Sequence, residues 1–126
     1  MPGRELQDYR RVEQMDLYYK STRNSNLKVT ASEAILKGLA PDGGLFVPSE
    51  LPKLDVTMSD LKGKTYQEIA YLVMKQFLTD FTEEELKSCI SRAYDSKFDT
   101  EEIAPLVKAD GAYYLELFHG STIAFK

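Results

Sequence analysis

The side chains in this sequence that could do chemistry gather in its last eight positions, after a mostly apolar predicted strand that ends at Phe118. There His119, the only histidine, precedes Ser121 and Thr122, and Lys126 follows. A lysine amine loses its proton readily in a desolvated site and can then attack a bound aldehyde. Hydroxyl groups can donate hydrogen bonds to a phosphate or a carboxylate. The spacing is therefore compatible with a nucleophilic lysine beside an anionic ligand.

Each of these residues also has a simpler interpretation, and the residues alone do not decide between the two. Lys126 could be a solvated surface lysine, and a lone histidine such as His119 could be a hydrogen-bonded structural group. Ser121 and Thr122 could cap a helical turn that includes Phe125.

A second candidate set lies near the start of the chain, where Arg23 follows Ser21 and Thr22. A guanidinium binds phosphate or carboxylate bidentately, so Arg23 is a candidate anion contact, with a solvated turn arginine as the alternative. Residues 42–44, Asp-Gly-Gly, predict a tight turn and lack the Gly-Lys-Ser/Thr that completes a phosphate-binding loop.

No metal site is predicted. Cys89, the single cysteine, falls on the apolar stripe of a predicted helix and is expected in the core. The acidic residues from Asp80 to Glu85 lie at a predicted helix N-terminus, where negative charge suits the helix dipole. No histidine or cysteine has ligand spacing with them.

Composition narrows the class of protein. A net charge of −4 and a pI near 5.0 argue against a nucleic-acid or anionic-membrane surface, because both need a basic face. No apolar run approaches the roughly 20 residues of a membrane span. One cysteine in 126 residues fits a reducing compartment, and the expected location is the cytoplasm.

Helix starts are the clearest structural signal. Three segments carry a capping box, in which a threonine and a glutamate three residues later each satisfy a backbone N–H: Thr30 with Glu33, Thr65 with Glu68, and Thr82 with Glu85. Each precedes an apolar periodicity, which predicts helices over about 31–37, 66–78 and 83–94.

The remaining pattern predicts short strands at 17–22, 45–47, 106–108 and 112–117, the last two joined by the hairpin dipeptide Asp110-Gly111. Residues 51–63 predict a loop with one short turn. Residues 1–14 are interpreted as a leader, either an expression remnant or an over-extended gene start, with a short native helix as the alternative. The predicted fold class is α+β, with three capped helices packed beside a small, mostly antiparallel sheet.

Three motifs in this order make residues 15–126 resemble the threonine synthases of the bacterial and fungal type. They are Ser-Thr-Arg at 21–23, the Gly-Gly turn at 43–44, and Leu-Phe-His-Gly at 117–120 ahead of Lys126. The family usually has a glycine where this chain has Asn24 and a proline where it has Ser121. Asparagine tolerates a left-handed turn at modest cost.

The resemblance implies the N-terminal domain of a fold-type II pyridoxal-phosphate (PLP) enzyme, with 15–114 as that domain and 115–126 as the start of the catalytic domain. It implies a lyase of threonine biosynthesis that converts O-phosphohomoserine and water to threonine and phosphate. Lys126 would be the catalytic and cofactor-binding residue. Arg23, His119, Ser121 and Thr122 are candidate substrate contacts.

Two alternatives remain: a related phospho-lyase that releases 2-oxobutyrate, and a non-catalytic α+β interaction module. We expect the chain to be an N-terminal fragment without activity of its own. Strand 113–118 and Phe125 should then expose an apolar patch, which predicts self-association or disorder around 118–126.

Overall fold

The structure is a computed structural model that describes residues 17–123. The predicted leader at 1–14 and the segment 124–126, with Lys126, lie outside these residues. The described chain forms two compact units, residues 17–55 with 73–83, and residues 56–72 with 84–123. The domain boundaries at 14/15 and 114/115 remain predictions.

The first unit contains a small antiparallel sheet. Strand β1 (Tyr19–Ser21) pairs with β2 (Phe46–Pro48), with Tyr19 opposite Pro48 and Ser21 opposite Phe46. Pro48 has no N–H, yet it belongs to the strand, and the Ser49 amide beyond it still donates to the Tyr18 carbonyl at 2.7 Å. The buried apolar side chains of this unit are Leu17, Val29, Ala31, Ala34 and Ala40.

Helix α1 (Ala31–Lys37) begins with the predicted capping box. The Glu33 amide donates to the Thr30 hydroxyl at 3.2 Å, and the Thr30 amide donates to the Glu33 carboxylate at 2.8 Å. The helix ends at Gly38, whose φ of 73° is accessible to glycine without a Cβ penalty. Asp80 adds a cap from outside the helix, since its carboxylate accepts a hydrogen bond from the Ser32 amide at 3.1 Å.

Three further helices lie within residues 17–123, namely α2 (Met58–Leu61), α3 (Tyr66–Phe77) and α4 (Glu83–Ala93). The predicted box at Thr65 forms, with the Thr65 amide donating to Glu68 at 2.7 Å and the Glu68 amide donating back at 3.2 Å. The buried apolar side chains of the second unit are Leu86, Ile90 and Ile103.

Strands β3 (Leu106–Ala109) and β4 (Ala112–Leu115) form the predicted hairpin in the second unit. Asp110 and Gly111 have φ values of 48° and 76°. Two positive φ angles are what a type I′ turn needs, which is why this dipeptide closes the hairpin.

The α+β class is confirmed, while three details differ from the sequence predictions. Among the described residues the strands form two separate two-stranded sheets instead of one. Helix α2 has a capping box that the sequence did not predict, between Thr57 and Asp60. Cys89 is exposed, because the buried stripe of α4 is only Leu86 and Ile90 and Cys89 lies beside it.

The predicted exposure of the apolar side chains in strand 113–118 is confirmed, while Phe125 lies outside the described residues. Both hairpin strands are exposed throughout, and Leu117 and Phe118 beyond them are 68% and 52% exposed. Over residues 17–123, helices are too short or too polar to cross a membrane.

Candidate functional site

The Ser-Thr-Arg and Asp-Gly-Gly motifs meet in the first unit. Ser21, only 2% exposed, donates its hydroxyl to the Asp42 carboxylate at 2.7 Å. The same hydroxyl oxygen accepts the Arg23 amide at 3.1 Å. Asp42 also accepts the Gly44 amide at 2.9 Å, so one carboxylate oxygen ties the two motifs together. We call Ser21, Thr22, Asp42 and Gly44 the Ser21–Asp42 lock.

Thr22 completes the lock through the backbone. Its hydroxyl accepts the Leu45 amide at 3.0 Å, and its own amide donates to the Leu45 carbonyl at 2.9 Å. The hydrogen bond from Ser21 is the main cause that holds the pKa of Asp42 below its usual range, and the Gly44 amide adds to it. Asp42 therefore stays ionised, because its charged form is the one that accepts these bonds.

Arg23 lies on the exposed rim of this lock. Its Nη1 donates to the Asp42 carbonyl at 3.2 Å, which uses one of the five guanidinium donors. The structure thus gives Arg23 a turn-stabilising contact, and its predicted role as an anion contact stays a prediction.

In the second unit, His119 lies between two carboxylates. Its Nδ1 donates to Asp99 Oδ1, and its Nε2 lies 3.4 Å from Glu116 Oε2. The hydrogen bond to Asp99 is the main cause that raises the pKa of His119 above its usual range, and Glu116 raises it further. Because both ring nitrogens face carboxylates, this geometry favours the structural interpretation of His119 over a substrate contact.

Ser121 and Thr122 are exposed and lie in a turn closed by the Ile123 amide, which donates to the Gly120 carbonyl at 2.9 Å. Ile123 has a φ of 63°, which is unfavourable for a β-branched residue. The predicted helical turn at Phe125 lies outside the described residues, so capping by these hydroxyls stays a prediction.

The structure therefore places the predicted site residues in two groups. His119, Ser121 and Thr122 are together in the second unit, Arg23 is in the first, and Lys126 lies outside the described residues. Within residues 17–123, His, Cys, Asp and Glu side chains form no group of three or more that could hold a metal ion.

Sequence reasoning missed Asp99, which contacts His119 from 20 residues away. It lies in an irregular loop with no periodicity, so no local pattern marks it. The only sequence feature that points to this contact is chemical, because a sole histidine in an acidic chain has many carboxylates available as partners. The Ser21–Asp42 bond was missed for the same reason, although both residues belong to recognised motifs.

Comparison with known proteins identifies the family. The sequence model described as the threonine synthase N terminus matches residues 18–94. Threonine synthase of Schizosaccharomyces pombe is 44% identical over 112 residues, covering 86% of this chain and 22% of the relative. Human threonine synthase-like 1 is 42% identical over 100 residues, covering 75% of this chain and 14% of the relative. This chain thus spans less than a quarter of the length of these curated relatives.

A solved structure agrees with the sequence comparison. PLP-bound threonine synthase from Brucella melitensis superposes with a TM-score of 0.75 at 36% identity, over 87% of this chain and 24% of that structure. Since the family match covers more than half of the chain and the fold matches as well, this chain belongs to the threonine synthase N-terminus family.

Proposed function

We propose that this chain is the N-terminal part of a PLP-dependent threonine synthase, a lyase that converts O-phosphohomoserine and water to threonine and phosphate. The observation that carries the proposal is the match to PLP-bound threonine synthase over 87% of the chain, at 36% identity. Because the chain covers 24% of that protein, we assign the activity to a longer protein that contains this chain. We assign it to the cytoplasm, since a single cysteine suits a reducing compartment.

The residues around the chain's final turn suit this cofactor chemically. Lys126 provides an amine for the cofactor aldehyde, and residues 117–126 contain no acidic side chain to compete for it. Ser121 and Thr122 present exposed hydroxyls that can donate to phosphate oxygens. Bound PLP supplies an electron sink for charge that develops on the substrate.

In this proposal Lys126 anchors the cofactor and, when released, moves a proton between Cα and Cβ of the substrate. A desolvated lysine suits that work because its ammonium gives up a proton readily. Arg23 retains guanidinium donors beyond its bond to the Asp42 carbonyl, which leaves it able to bind an anion.

A second candidate is a phospho-lyase that releases 2-oxobutyrate. The observation behind it is the 42% identity to human threonine synthase-like 1, which is close to the 44% identity to threonine synthase of Schizosaccharomyces pombe. The non-catalytic module loses its support, because the family match extends over residues 18–94 and does not rest on the segment next to Lys126.

Product analysis tests the proposal. A longer protein that contains this chain, loaded with PLP and given O-phosphohomoserine, should release threonine and phosphate in equal amounts. Phosphate with 2-oxobutyrate would support the second candidate, and neither product would refute both. The Lys126→Ala variant is the control and should lose turnover. The 126-residue chain alone should give no turnover with the same additions.

A further inference from the structure

We propose that Asp99 is a positioning residue for the segment that leads to Lys126, holding His119 by its ring and its backbone at once. The Asp99 carboxylate accepts from His119 Nδ1, while the Asp99 amide donates to the His119 carbonyl at 3.2 Å. Two contacts from one residue fix both the orientation of the imidazole and the path of the chain. The catalytic consequence rests on the proposed function, and the contacts themselves do not.

The residue before Asp99 supports the same segment. A Cβ at Gly120 would lie 3.0 Å from Phe98 Cε1, so the Phe98 ring lies directly against the backbone at 120. Glycine at 120 permits that approach. Phe98 and Asp99 therefore form a cradle for residues 119–120, which we call the 98–99 cradle.

The 98–99 cradle is itself held in place. The Phe98 ring packs against Tyr94 with a centroid distance of 5.9 Å, and Tyr94 packs edge-on against Tyr66 at 4.9 Å. The Phe98 amide donates to the Asp95 carbonyl at 3.1 Å, which closes the loop. These aromatic contacts and the backbone hydrogen bond hold the cradle within the second unit.

Charge reinforces this geometry. Within residues 17–123, the charged groups that contact the His119 ring are Asp99, from the 98–99 cradle, and Glu116, from the residue after β4. Phe118 stacks on the ring at 4.5 Å and carries no charge. The Asp99 side chain is 73% exposed, so solvent screens its charge and the two-point contact matters more than the ion pair.

The segment that the cradle holds, residues 119–120, comes shortly before Lys126 in the sequence, and this gives the cradle a function. The turn at 120–123 follows immediately, and Lys126 is three residues beyond Ile123. A reacting group displaced by about 1 Å can cost about 100-fold in rate. A residue that fixes where this turn begins therefore fixes the start of the segment that carries the lysine, without touching substrate.

The first test uses the 126-residue chain, because its single histidine gives a single imidazole signal by NMR. Asp99→Asn keeps the shape and removes the charge, so it should lower the His119 pKa toward the ordinary value of about 6.5. Asp99→Ala removes the acceptor, so it should also speed amide exchange at Ile123 by about 3- to 5-fold, as expected for a lost exposed ion pair. Asp110→Asn, the same change in the hairpin turn, is the control and should leave both readouts unchanged.

An unchanged His119 pKa in Asp99→Asn would overturn the proposal, and so would unchanged Ile123 exchange in Asp99→Ala. In the longer, active protein, Asp99→Ala should lower kcat by about 10-fold with little change in KM. Wild-type turnover in that variant would also overturn it. If the proposed reaction itself is wrong, the unmutated longer protein will form no threonine. The NMR result for Asp99 does not depend on that reaction and would still hold.

Discussion

Adding a single methyl group at Gly44 should strongly destabilise the first unit. A Cβ there would lie 2.2 Å from Ser21 Oγ and 3.0 Å from both Asp42 Oδ1 and Thr22 Oγ1. The backbone at 44 does not have a left-handed φ. The effect of Gly44→Ala is therefore steric and falls on the Ser21–Asp42 lock.

The size of the expected stability loss follows from the side chains that must move to make room for the methyl group. Ser21 is 2% exposed, and its Oγ makes two hydrogen bonds, to Asp42 and from the Arg23 amide. Rotation away from the new methyl breaks both, at about 1 kcal/mol each. Residual crowding against Asp42 and Thr22 adds about 1 kcal/mol. Gly44→Ala should lower the free energy of unfolding by about 3 kcal/mol, or roughly 10 °C in Tm.

Urea unfolding of the 126-residue chain, followed by circular dichroism, measures this loss. Gly38→Ala is the matched control in the same unit, because a Cβ there has nothing within 4 Å and meets only the cost of a φ of +73°. Because its ψ is −83°, Gly38 lies outside the left-handed helical region, and that cost is on the order of 1–3 kcal/mol. The loss in Gly38→Ala should not depend on the Ser21 hydroxyl, whereas the loss in Gly44→Ala should.

A double-mutant cycle sharpens the test. Ser21→Ala removes the atom that the new methyl would meet, at the cost of the hydrogen bonds of the Ser21 hydroxyl. Gly44→Ala should therefore cost less in the Ser21→Ala background than in the wild type. Residues in direct contact show such coupling, whereas independent sites add. Strict additivity would mean that the two positions do not compete for the same space.

Three further predictions concern other parts of the chain. Thr30→Ala should lower the free energy of unfolding by about 1 kcal/mol in urea, because it removes the N-cap of α1. Because the pKa of His119 is raised in the folded state, its protonation should stabilise the fold fully below about pH 6.5, and this stabilisation should be lost as pH rises through the folded-state pKa. The urea midpoint of the wild type should therefore fall over that range, and the midpoint of Asp99→Asn should fall less. The exposed hairpin should drive concentration-dependent association in sedimentation velocity, and Leu115→Lys, at a side chain 59% exposed, should weaken it.

What the sequence predicted well was local. Helix α1 has the predicted bounds, and α3 and α4 each end one residue before the predicted end. A capping box joins residues three apart, so its signal is complete within one turn of helix. The hairpin at Asp110-Gly111 was predictable for the same reason, since the turn conformation depends on those two residues.

The features that the sequence did not predict depend on residues far apart in the chain or on small differences in local pattern and burial. Paired residues of β1 and β2 are 25 to 29 positions apart, and no local pattern in either strand specifies its partner. The sequence therefore predicted one sheet where the described residues form two. The capping box at Thr57 uses Asp60 in place of glutamate, and it lies in the segment 51–63 that the sequence predicts as a loop with one short turn. Cys89 follows the helical period of Leu86 and Ile90, yet the buried stripe of α4 is too narrow to include it.

The Ser21–Asp42 lock changes the interpretation of the motifs that identify the family. In this structure the hydroxyls of Ser21 and Thr22 are engaged by Asp42 and the Leu45 amide. A hydroxyl has one proton to donate, and that of Ser21 is committed to Asp42. An anion at this motif would therefore have to be bound by Arg23 or by the Thr22 hydroxyl, which accepts the Leu45 amide and keeps its own proton to donate, and replacing Ser21 would act on folding before it acted on binding. Replacing Ser21 should accordingly lower the stability of the fold, and replacing Arg23 should lower the affinity for an anionic substrate, although the two residues are only two positions apart.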